Sequence, residues 1–153
     1  MTIPAQAEPD QLRRNGDFRI LLIDDNADAN ESMGYLLELL GYGVRMARDA
    51  AGGLQATAEF SPHLVVSDIG LPDMSGYQLA PKLRHLAGAR PMVLAAATGY
   101  GFASDVARIR EAGFDFHFVK PLDAEVLVNF VAQQRDLALG RLNAGPLAKP
   151  DAA

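Results

Sequence analysis

Five short apolar runs, each too brief for a helix, alternate along this chain with five stretches that carry a helical apolar stripe. That alternation constrains the fold more than any other feature. The runs are FRILLI (18–23), YGVRMA (42–47), HLVVSD (63–68), PMVLAAAT (91–98) and FDFHFVK (114–120). Several are apolar throughout, as a strand must be when both of its faces are covered. Strands and helices in strict alternation predict an α/β domain: a five-stranded parallel sheet with helices packed on both faces.

The helical stretches are of unequal quality. The first carries Met33, Leu36, Leu37 and Leu40 at helical spacing, with Asn26 or Asp28 to cap its start and Gly41 to allow a left-handed exit. The second, DAAGGLQATAEF (49–60), is weakened by Gly52 and Gly53, each costing about 1 kcal/mol relative to Ala. The third lies within 75–87 and carries Leu79, Leu83 and Leu86, but Pro81 interrupts it. A mid-helix proline costs about 3 kcal/mol, so the helix either starts late, with Pro81 in its first turn, or kinks. The fourth (102–113) sets Phe102, Val106 and Ile109 on one stripe, and the fifth runs over 123–138. Met33, Leu36, Val65, Leu94 and Ile109 are expected to be core.

A length of 153 residues suits one domain. Residues 1–17, rich in Pro, Ala, Gln and charge, read as a flexible leader, 18–138 as the folded domain and 139–153 as a flexible tail. No apolar run approaches the roughly 18 residues of a membrane span, and the leader has no apolar core of a secretory signal. The absence of cysteine excludes disulfides and thiolate metal sites. The expected compartment is therefore the cytoplasm. Net charge is −5 and the 14 basic residues are scattered, so no basic stripe for direct nucleic-acid binding is present.

Ligands of such sheets bind beyond the carboxyl ends of the strands. There the first strand ends in Asp24-Asp25, the third in Asp68, the fourth in Thr98 and the fifth in Lys120 followed by Pro121. Two carboxylates about 4 Å apart repel by roughly 4 kcal/mol at an effective dielectric near 20, and one lysine cannot neutralise three. A hard divalent cation can. Mg²⁺ takes oxygen ligands, uses one or two carboxylates and keeps several waters, so Asp24, Asp25 and Asp68 are expected to hold it. With a metal present, a carboxylate can be a nucleophile that forms an aspartyl phosphate. The Thr98 hydroxyl and the Lys120 amine would then bind phosphoryl oxygens, and little else is required.

The motifs LLIDDN, LVVSDIGLPDMSG, LAAATGYG and FHFVKPLD, in this order at successive strand ends, resemble the receiver domain of two-component response regulators over about residues 18 to 136. The resemblance implies a flavodoxin-like, doubly wound sheet of strand order 2-1-3-4-5. It implies Asp68 as phosphoacceptor, with Asp25 touching Mg²⁺ directly, Asp24 acting mostly through water and the Gly70 carbonyl a further ligand. Thr98 would be the switch hydroxyl and Lys120 the phosphate-binding amine, with Pro121 following a cis bond. The phosphodonor would be a histidine kinase or a histidine phosphotransfer protein. The face around the fourth helix, fifth strand and fifth helix would shift toward a downstream protein.

Three positions depart from the family pattern. The aromatic switch position, three residues before the lysine, holds His117. Position 70 is Gly, with no side chain to orient a hydrolytic water, and Tyr100 is placed to shield the phosphate, so a long-lived phosphoryl group is expected. Pro81 is the third. His63 and His85 have no evident partner in the sequence. Two other functions compete. A haloacid-dehalogenase-type Mg²⁺ phosphatase also uses an aspartyl phosphate with Thr and Lys, but its D-x-D spacing and cap domain are missing from the pattern. A degenerate receiver that binds partners without phosphorylation would lack some of these five side chains, and all are present. About 15 residues follow the last helix, so action by protein contact is expected, as a free-standing regulator, a relay shuttle or the receiver of a hybrid kinase.

Overall fold

The computed structural model describes residues 15–99 and 103–140. Its strands are β1 (Arg19–Ile23), β2 (Gly43–Ala47), β3 (Leu64–Asp68), β4 (Val93–Thr98) and β5 (Phe116–Val119). Its helices are α1 (Ala27–Leu39), α2 (Ala50–Phe60), α3 (Gly76–Ala87), α4 (Ala103–Ala112) and α5 (Ala124–Ala138). All strand pairs are parallel and the order is β2-β1-β3-β4-β5, the doubly wound arrangement expected.

Alternation along the strands divides the core in two. Leu21, Ile23, Val65, Leu94 and Ala96 pack with Leu79, Leu83 and Ile109. Ile20, Leu22, Leu64, Val66 and Phe118 pack on the other face with Leu37, Leu127, Phe130 and Val131. Phe116 and Phe118 both meet the Phe130 ring edge-on, with centroids 4.9 and 5.0 Å away. Of the first helical stripe, Leu37 and Leu40 are buried while Met33 and Leu36 are only half-buried. Leu86 is exposed, and the buried stripe of α3 runs through Leu79, Leu83 and Ala87 instead.

Helix ends follow the chemistry of their flanking residues. Asn26, and not Asp28, caps α1 by accepting from the Ala29 N–H. Gly41 takes φ 95°, the left-handed exit its sequence position suggested. Helix α3 does not start late. Ser75 and Gln78 form a reciprocal capping box that sets its start at Gly76, which leaves Pro81 inside the helix. Pro81 is exposed, and it leaves the carbonyl of Tyr77 without the intrahelical donor that a residue with an N–H would supply.

Asn15, upstream of β1, is buried. Its Nδ2 donates to the Leu40 carbonyl at 2.6 Å and its Oδ1 accepts from the buried Arg135 guanidinium at 2.7 Å. Arg135 also donates to the Tyr42 hydroxyl and to Asp136. The start of the described chain is thereby tied to the ends of α1 and α5.

His63 has partners that no local pattern disclosed. Its ring stacks on Phe18, centroids 5.2 Å apart, and its Nδ1 accepts the Arg19 N–H at 2.9 Å. Burial, then the Arg19 and Arg90 charges, hold its pKa below the ordinary value. A depressed histidine favours the folded state while neutral. That contribution is present above about pH 6.5, the unfolded value, and is lost as pH falls through the folded pKa. The thermal midpoint of the wild type is expected to fall by several degrees more between pH 7 and 5 than that of His63→Gln, measured by circular dichroism.

Candidate phosphoacceptor and metal site

The carboxyl edge of the sheet is built by hydrogen bonds that carry the parallel ladder one residue past each strand. Asp24 N–H donates to the Ala47 carbonyl at 3.0 Å, Ile69 N–H to Ala97 at 3.1 Å, and Lys120 N–H to Thr98 at 2.8 Å. These bonds fix the backbone at the points where the functional side chains leave it. Asp68 and Thr98, the last residues of β3 and β4, are both buried. The Lys120–Pro121 bond is cis, as the resemblance implied.

Asp68 is held from two sides. Its Oδ1 accepts the Gly70 N–H at 3.0 Å, and its Oδ2 accepts the Lys120 ammonium at 2.9 Å. The same ammonium lies 3.2 Å from Asp24 Oδ2, so one cation bridges two carboxylates. Asp24 is further oriented by the Asn26 N–H, which donates to its Oδ1 at 2.9 Å. Burial alone would pull the Lys120 pKa down. The hydrogen bond to Asp68 and the charges of Asp68 and Asp24 outweigh that, and the ammonium stays above its ordinary range. At neutral pH Lys120 is a permanent positive charge.

Asp25 is exposed but belongs to the same cluster. Ligand oxygens of Asp24, Asp25 and Asp68 all lie within 4.8 Å of one another. Desolvation, then Asp68 and Asp24, push the Asp25 carboxyl above its usual value. Three carboxylates against one ammonium leave an uncompensated negative charge, and every donor is a hard oxygen. That donor set fits Mg²⁺. A Cβ built on Gly70 would lie 4.0 Å from Asp68 Oδ1, at the edge of ordinary van der Waals contact with the acceptor. Glycine leaves that approach open.

The structure thus brings together Asp24, Asp25, Asp68, Gly70 and Lys120, with Thr98 at the adjacent strand end. His117 is half-buried in β5, opposite Ala96 in register. Alternation turns it away from the Phe116–Phe118 face, and it joins none of the carboxylates among the described contacts. Tyr100 and Phe102 lie outside the described residues. From the acids a cleft of about 450 Å³ runs beneath α1, lined by Ala29, Asn30, Met33, Val66 and Leu122. Two contributors went unnoticed in the sequence: Asn26, whose N–H orients Asp24, and Asp73 of LPDMSG, whose carboxylate reaches the start of α2. Asn26 directly follows the acidic pair and was read from the sequence only as a candidate helix cap.

A parallel sheet of order 2-1-3-4-5 with acids, a hydroxyl and an amine on its carboxyl edge defines a class of doubly wound α/β domains with an acidic pocket at the strand ends. Residues 20–132 match the family model of the response regulator receiver domain, and the chain belongs to that family. It is 34% identical over 131 residues to the transcriptional regulatory protein KdpE of Mycobacterium tuberculosis, an alignment of 86% of this chain and 55% of KdpE. Against the sensor histidine kinase RcsC of Salmonella typhimurium it is 30% identical over 118 residues, 77% of this chain and 12% of RcsC. It thus spans about half of one relative and a small part of the other. A CheY-like receiver domain protein from Methanospirillum hungatei superposes with a TM-score of 0.73 at 31% identity, covering 82% of this chain and 98% of that one. No helix among the described residues is long and apolar enough to cross a membrane.

Proposed function

We propose that this receiver accepts a phosphoryl group on Asp68, in a Mg²⁺-dependent transfer from a histidine kinase or histidine phosphotransfer protein, and so switches a protein-binding face. The convergence of Lys120 and Gly70 N–H on the two oxygens of Asp68, beside Asp24 and Asp25, carries this reading. Bound Mg²⁺ would supply charge neutralisation for the incoming phosphoryl oxygens; Asp24, Asp25, Asp68 and the Gly70 carbonyl would hold it. The remaining work falls to the chain. Asp68 attacks phosphorus as the bond to the donor breaks, Lys120 moves from pairing carboxylates to pairing a phosphoryl oxygen, and the Thr98 hydroxyl donates to another.

The face formed by α4, β5 and α5 exposes Val119 and Val126, apolar groups suited to a protein partner. Action is proposed to be cytoplasmic and by protein contact, without direct nucleic-acid binding. No turnover of an external phosphomonoester is expected.

Incubation with acetyl phosphate and Mg²⁺, followed by intact mass, tests the reading. One phosphoryl group per chain, absent with EDTA, is the expected result, and no incorporation overturns it. With Gly70 offering no group to orient water, the acyl phosphate is expected to persist for minutes to hours. Decay within seconds would refute that expectation.

A further inference from the structure

The segment between Asp68 and α3 holds itself together closely. Gly76 N–H donates to the Ile69 carbonyl at 2.7 Å, and Gly70 and Ser75 form an antiparallel bridge. A Cβ on Gly76 would come within 2.8 Å of Ile69 Cα, so only glycine permits this approach. Near Asp68 the loop meets the rest of the domain through Ile69, whose N–H donates to the Ala97 carbonyl at 3.1 Å, and Ile69, Leu71 and Met74 pack against the core.

Asp73, at the far side of the loop, supplies a polar attachment outside it. Its Oδ1 accepts the Ala50 N–H at 2.8 Å and its Oδ2 the Ala51 N–H at 3.0 Å. Those are the first two amides of α2, and Asp49 takes the third, from Gly52, at 2.7 Å. Two carboxylates from different segments therefore share the donors that a helix start leaves unpaired. The two bonds hold the Asp73 carboxyl below its ordinary pKa, which favours the ionised form that accepts both.

Gly70 has no side chain, and among the described hydrogen bonds its two peptide planes are held only within the loop, by its N–H on Asp68 at 3.0 Å and by the Leu71 N–H on the Ile69 carbonyl at 3.2 Å. We infer that Asp73 is a positioning residue for the metal ligand: by fastening the loop to α2 it aims the Gly70 carbonyl toward the Asp24, Asp25 and Asp68 carboxylates. The inference rests on the function proposed above. Asp49 caps the same helix and, among the described hydrogen bonds, reaches no residue of the loop, which separates helix stability from loop orientation.

Calorimetric titration of the unphosphorylated full chain with Mg²⁺ tests it. Asp73→Ala is expected to weaken Mg²⁺ about tenfold, in the range seen when a group that orients a metal ligand is lost. Asp73→Asn, which can accept only one of the two N–H groups, should fall between it and the wild type. Asp49→Ala should lower the thermal midpoint yet bind Mg²⁺ as the wild type does. At saturating Mg²⁺ the phosphorylation rate of Asp73→Ala should return to the wild-type value. Unchanged Mg²⁺ affinity in Asp73→Ala, or equal weakening in Asp49→Ala, overturns the inference. If Asp73→Ala fails to fold, Asp73→Asn carries the same comparison. A wild-type chain that binds no Mg²⁺ overturns the function reading, and this inference with it.

Discussion

Asp68→Asn is expected to abolish covalent phosphorylation by acetyl phosphate while leaving the thermal midpoint in EDTA unchanged or raised. The amide is nearly isosteric and its oxygen still accepts the Gly70 N–H, so the local geometry survives. It cannot act as the nucleophile, because an amide oxygen does not form a stable acyl phosphate. Stability moves the other way from activity. The substitution removes one of three mutually repelling carboxylates, and Asp24 remains to pair with Lys120. Mg²⁺ binding should weaken, since one anionic ligand is gone. Intact mass with and without acetyl phosphate, together with melting curves in EDTA and in Mg²⁺, reads all three effects. A variant that still gains a phosphoryl group would show that Asp68 is not the acceptor.

Lys120→Met should lower the rate of phosphorylation by about 100-fold, a typical loss when one preorganised donor is taken from a developing negative charge. Its effect on the metal has the opposite sign. In the unliganded protein the ammonium sits 2.9 Å from Asp68 and 3.2 Å from Asp24, in the place where a cation is attracted. Removing it leaves three carboxylates without their internal counterion, so Mg²⁺ should bind more tightly even as transfer slows. The same loss should lower the midpoint in EDTA, with Mg²⁺ restoring much of it. Titration calorimetry and a phosphorylation time course separate these outcomes. Parallel loss of Mg²⁺ affinity and rate would mean that Lys120 shapes the pocket and does not compete for its charge.

These expectations draw on residues that were legible before any coordinates. Apolar runs of four to eight residues ending in Asp24-Asp25, Asp68, Thr98 and Lys120 could be placed on strands because both core faces demand continuous hydrocarbon there. In a parallel sheet all strands end on the same edge, so those residues had to lie near one another. The family resemblance supplied the strand order, which periodicity alone does not contain.

What escaped the sequence depended on contacts between distant segments. Pro81 argued for a late start or a kink, and the Ser75–Gln78 capping box rules out the late start by setting the helix to begin at Gly76. His63 looked idle because its partners lie 44 and 45 residues upstream, at Arg19 and Phe18. Asp73 read as one acid in a turn, while its hydrogen bonds reach 22 and 23 residues back to the start of α2.

By itself, the sequence determined which side chains arrive at the carboxyl edge, since periodicity and strand ends are local properties of the chain. Only the tertiary structure decided how they pair there: which oxygen of Asp68 meets Lys120 and which meets Gly70, and what holds the intervening loop. Hydrogen bonds are short and directional, so their partners are settled only after packing has fixed the distances between segments.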